Sequence, residues 1–233
     1  MTTRADHRRR LRALPGAAWP AYLAAHSGLP GPRADLTLLQ AAADEGDAAV
    51  FDMLLGMQDG YLVSCGAVGL GRLLAEDPAA PGEPRLRRLA ADPRWRVREA
   101  VAMALQRLGD ADLPRLQQLA DAWAGAGDQP LVQRAAAAGV CEPRLLREPA
   151  SAEYAVELCS RLTASLSDRP ASERRSADVR VLRQALGYCW SVAVAADPAG
   201  GLPPFAALER DEDPDVRWIV RENRKKRRLS SLL

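Results

Sequence analysis

Aromatic residues are scarce in this 233-residue chain, at 5%, and histidine occurs only twice, as His7 and His26. Few aromatic and β-branched runs leave little from which to build a sheet core. With both histidines before residue 27, and Cys65, Cys141, Cys159 and Cys189 standing singly without a Cys-x-x-Cys, neither a zinc site nor a Cys-His enzyme is expected. No apolar run approaches a membrane span, and Arg12, Pro15 and Pro20 interrupt what a secretory signal would need to keep apolar. The expectation is a cytoplasmic monomer with free buried thiols, without metal, cofactor or membrane contact.

What is present is alanine and leucine, within an apolar fraction of 48%. Alanine loses no side-chain entropy on entering a helix, and small residues let helices pack closely. Gly/Pro clusters at 27–34, 77–84, 125–130, 167–172 and 197–204 punctuate the chain, with helical apolar spacing between them. Val97, Val101, Ala104, Leu105 and Leu108 form one stripe; Val179, Leu182, Leu186 and Cys189 form another. Segment 61–76 predicts a further helix, in which Gly66, Gly69 and Gly71 permit close helix approach rather than forming a phosphate loop. The fold class predicted is all-α.

The net charge is only +2, but both ends are basic. Residues 1–14 carry a net +4 and residues 215–233 a net +5, leaving −7 for the rest of the chain. Basic ends on an acidic body suit a polyanion, because each phosphate contact releases a counterion, and they equally suit solvated tails.

A finer regularity links turns to helices. Asp92 precedes Arg98, Asp128 precedes Arg134 and Asp211 precedes Arg217, each by six residues, with Pro93, Pro130 and Pro214 between. The acid is placed to cap the helix and to face an arginine one turn into it, as a structural ladder. Asp211 and Asp213 are expected as caps rather than as paired catalytic carboxylates. With the segment DPRWRVREAVAMALQRLGD (92–110), this pattern resembles HEAT repeats over most of residues 35–228. The resemblance implies an α-solenoid of about five to six helix pairs, the second helix of each lining an inner wall. It would run over 35–228, between a basic N-terminal segment (1–34) and a C-terminal tail (229–233).

Two places stand off the apolar stripes. Trp95 and Glu99 share a helix face, each about 160° from Val97, and Trp218 and Glu222 repeat that spacing off the Val216/Ile219/Val220 stripe. Either indole faces a groove, or it fills space against a neighbouring helix while its glutamate is solvated. The stretches 95–105, 131–140 and 217–222 are also similar to segments of the AlkD-type DNA alkylation-repair glycosylases, which are HEAT-like solenoids. That resemblance implies Glu99 as the catalytic acid, standing where the family has aspartate. It implies Trp95, Arg134 and Trp218 as DNA-binding or groove-lining residues, and Arg96, Arg221, Glu222 and Arg224 are expected beside them in the same role. An anion near the sugar would stabilise the oxocarbenium-like charge that forms as an alkylated base leaves. The partner expected is double-stranded DNA, or a protein bound by a non-enzymatic scaffold.

Overall fold

The computed structural model describes every residue except Met1, Pro78, Ala80, Ala126 and Asp128. Among the described residues it is all-α, with fifteen α-helices and no strand. The chain divides into two compact units, Met1–Ala111 and Asp112–Leu233. Among the described residues no helix is long and apolar enough to cross a membrane.

The N-terminal unit holds α1 (Arg4–Arg12), α2 (Trp19–His26), α3 (Leu36–Glu45), α4 (Ala48–Leu55), α5 (Gly60–Glu76), α6 (Glu83–Ala90) and α7 (Trp95–Ala111). Short polar side chains start four of them: Thr3, Asp35, Asp47 and Asp59 each accept a hydrogen bond from a first-turn amide. Buried α5 is the centre, with α3 and α4 packed on it and α7 against it. The glycines of α5 make this possible. A Cβ on Gly71 would collide with the backbone of Ala104 on α7, and one on Gly69 with the Phe51 ring of α4. Close approach of two helix backbones is thus written into a single missing methyl group.

The C-terminal unit holds α8 (Leu113–Trp123), α9 (Pro130–Val140), α10 (Pro149–Ser167), α11 (Ala171–Arg174), α12 (Ala177–Ala196), α13 (Pro198–Leu208), α14 (Pro214–Arg224) and α15 (Arg227–Ser230). Here α12 is the centre, packed by α9, α10, α13, α14 and α15. Trp190 of α12 is fully buried against Phe205 and donates from Nε1 to Thr163 Oγ1 at 2.9 Å. Asn223 of α14, also buried, accepts from the Ser191 amide at 2.8 Å and donates to the Leu186 carbonyl at 2.9 Å, so an otherwise costly polar group becomes a tie between helices.

Three features depart from the sequence reading. Residues 197–204, read as a break, lie mostly within α13: Asp197 caps it, Pro198 occupies its first turn, and Pro203 and Pro204 are carried inside. The C-terminal tail expected from residue 229 is in part helix. The chain turns at Lys225 into α15, and Leu229, placed at the start of the tail, is fully buried. Cys141, Cys159 and Cys189, isolated in sequence, meet in the core, with Sγ of Cys141 and Cys159 3.6 Å apart. They are free thiols, and the hydrogen bond with Cys159, together with burial, pushes Cys141 well above its ordinary value. Among the described residues no group of three or more His, Cys, Asp or Glu is placed to hold a metal ion.

Candidate anion-binding site

The predicted site residues fall in both units. In the N-terminal unit, α7 opens after the turn Asp92-Pro93-Arg94. Asp92 accepts from the Arg94 amide at 2.8 Å, and its carboxylate takes two bonds from the Arg94 guanidinium, at 2.8 and 2.7 Å. The Arg94 hydrogen bond holds Asp92 below the ordinary carboxylate range. Arg98, the expected partner of that carboxylate, instead donates to the backbone carbonyls of Asp92 and Pro93, at 2.7 and 2.9 Å. Two residues of backbone bring Arg94 round to the carboxylate first, so the ladder reads through main-chain oxygens. Trp95 is 57% exposed, with Arg96 stacked 4.6 Å from its ring centre, and Glu99 is exposed on the same face of α7.

In the C-terminal unit, Arg134 is only 8% exposed, among the buried residues of α9. It is thus enclosed within its unit and not presented on the surface. Asp128, its expected ladder partner, lies outside the described residues. The third rung also differs. Asp211 accepts from the Asp213 amide at 2.8 Å while Arg217 is exposed. The tie to the preceding helices is made by Arg174, paired with Asp213, and by Arg183, 2.5 Å from Asp215. Asp213 meanwhile caps α14 through the amides of Asp215 and Val216.

Trp218 turns out to be a spacer. A Cβ on Gly187 of α12 would lie 2.7 Å from its indole, and Arg183 stacks 4.7 Å from its ring centre. Glu222, on the same side of α14, pairs with Lys225 at 2.7 Å, and that hydrogen bond lowers its pKa. This is the space-filling alternative for Trp218 and Glu222, in which the indole knits α14 to α12.

The other flank of α14 is different. At 100° per residue Arg217, Arg221 and Arg224 fall within an arc of about 60°. With Leu208, Glu209 and Val220 they line a cavity of about 220 Å³ between the end of α13 and α14. Arg224 pairs with Glu209 at 2.7 Å, while Arg221 is 62% exposed and lies 3.7 Å from Glu222. Beyond the turn, Arg228 stacks 4.9 Å from the Tyr188 ring centre and donates to its hydroxyl at 3.0 Å; Lys226 lies 5.9 Å from the same ring. Sequence reading named Arg221 and Arg224 individually and placed Arg217 in a ladder. The spacing 217/221/224 already put all three on one face, but Glu209, Tyr188 and Arg183 carry no local signal.

At the opposite end of the sequence Arg4, Arg8 and Arg12 are paired within their own unit. Arg4 donates twice to Asp44, both at 2.7 Å; Arg8 and Arg12 bind Glu45 at 2.5 and 2.6 Å; and Arg107 joins Asp44 from α7. Arg12 first, then Arg8, hold the Glu45 carboxyl down at about 2.

No protein-family model matches the chain, and no curated protein matches it. Among solved structures it is similar to the crystal structure of an engineered protein, at 17% identity over 84% of this chain and 92% of that one, with a TM-score of 0.29.

Proposed function

We propose that this chain is a HEAT-like stack of helix pairs that binds the phosphate backbone of duplex DNA through the basic face of α14 and α15. The observation that carries the reading is the row Arg217, Arg221 and Arg224 on one flank of α14; Arg227 and Arg228 follow it in sequence on α15, which is anchored by buried Leu229. Such a row meets phosphates without reading base edges, so binding is independent of sequence. Affinity therefore falls steeply with salt: a slope near −0.9 per contacted phosphate gives about −4.5 for ~5 contacts. Fluorescence anisotropy on a labelled duplex between low and moderate salt measures it. Arg221→Glu with Arg224→Glu should weaken binding by about a hundredfold at low salt, since two attractions become repulsions. Affinity indifferent to salt and to these changes removes the reading.

Base excision extends the same proposal to the N-terminal unit. It is supported by Trp95, an exposed indole beside exposed Glu99 on one face of α7. Glu99→Gln should abolish release of a methylated purine from alkylated duplex and leave binding unchanged; release at the original rate rules the chemistry out. A protein-binding scaffold is the second reading, favoured by a separate cleft of about 490 Å³ lined by Glu153, Glu157 and Asp197 along with Arg161. Such a cleft suits a basic partner, and a chain that ignores DNA yet retains a lysine-rich peptide would support it.

A further inference from the structure

The cavity beside α14 has a shape that a DNA backbone contact does not need. Phosphates along one strand follow one another at intervals, each with a single charge, and an open row of cations suffices for them. Arg217, Arg221 and Arg224 instead stand on successive turns of one helix face and share one concave space of about 220 Å³, walled on its apolar side by Leu208 and Val220. The guanidinium groups on the other side are open to an incoming ligand, Arg221 being 62% and Arg224 53% exposed.

The charge count inside this space is informative. Three guanidinium groups line this space with one carboxylate, Glu209, whose bond to Arg224 at 2.7 Å offsets one of them, while Glu222, 3.7 Å from Arg221, is bonded more closely to Lys225 at 2.7 Å. About two positive charges remain for a guest. An internal phosphodiester supplies one negative charge, whereas a phosphomonoester supplies close to two, with three acceptor oxygens for the forked donors of arginine.

We infer that this pocket seats a single phosphomonoester, and that its source is the 5′-terminal phosphate of a DNA strand end. The inference rests on the reading of α14 as a DNA-facing helix and adds a preference for ends over continuous backbone. In the occupied pocket Arg217 and Arg221 supply the new bonds, and Arg224 divides its donors between Glu209 and the phosphate.

The test compares two labelled duplexes of one sequence, one with a 5′-phosphate at the end and one with a 5′-hydroxyl, by anisotropy at fixed salt. The phosphorylated duplex should bind about tenfold more tightly. Arg217→Ala with Arg221→Ala should bring the two to equality, while Glu209→Gln, which releases Arg224, should widen the gap. Circular dichroism confirms that the variants stay folded, and inorganic phosphate should compete away the phosphate-dependent part alone. Equal affinity for both duplexes overturns the pocket assignment and leaves backbone binding standing. If neither duplex binds, but inorganic phosphate raises the unfolding temperature in the parent and not in the Arg217/Arg221 variant, the DNA reading fails while the pocket survives as a site for a smaller phosphate. Absence of both effects overturns both.

Discussion

The two basic ends of this chain carry almost the same net charge and meet opposite fates. At the N-terminus Arg4, Arg8 and Arg12 lie against Asp44 and Glu45 of α3, and Arg9 pairs with Asp6. At the C-terminus the acids are placed elsewhere. Asp215 is taken by Arg174 and Arg183, Glu222 binds Lys225 more closely than Arg221, and Glu209 reaches into the arginine row of α14 at Arg224. A run of arginines therefore says little until the surface it folds against is known: one end works as a clasp, and the other keeps its field directed outward.

That contrast can be broken from the clasp side. Asp44→Ala leaves Arg4 and the largely buried Arg107 without their shared carboxylate, and should destabilise the fold by about 2 kcal/mol. Urea denaturation should show a lower midpoint at unchanged slope. An unchanged midpoint means that the network contributes nothing. Acid should act in the same place more gradually. The Glu45 pKa is depressed in the folded chain, so its contribution is complete above its unfolded value of 4.5 and is lost as pH falls towards about 2. Thermal unfolding followed from pH 6 to pH 3 should fall more steeply in the parent than in Glu45→Gln. The smallest effect sharpens the comparison itself. Glu45→Gln removes the charge that holds Arg12 and leaves Arg8 with Asp44 alone, at 3.8 Å, and if pairing alone separates the two ends, duplex affinity at low salt should rise by a fewfold. No rise would mean that position matters as well as pairing.

Much of the fold was legible because its determinants are local. Asp35, Asp47, Asp59 and Asp213 start helices through amides two or three residues away, and Gly69 and Gly71 announce close packing by their lack of a side chain. Side-chain partnership was harder to read. Asp92 and Arg98 sit six residues apart in a pattern that implies a salt bridge, yet Arg94 lies nearer and takes the carboxylate. The partners of Arg174, Arg183 and Trp218 are more than thirty residues away, and helix packing, which no short window contains, decides them. Residues 197–204 misled for a related reason: proline and glycine mark the start of a helix as readily as its end, and the cap at Asp197 decides which.

Leu229 gives the C-terminal charges a thermodynamic character that their sequence conceals. With that side chain fully buried, and Arg228 held on Tyr188, lysines and arginines that a free tail would spread over many conformations are arrayed before any partner arrives. Association then freezes little main chain, so the entropic toll usual for disordered basic arms is largely settled during folding.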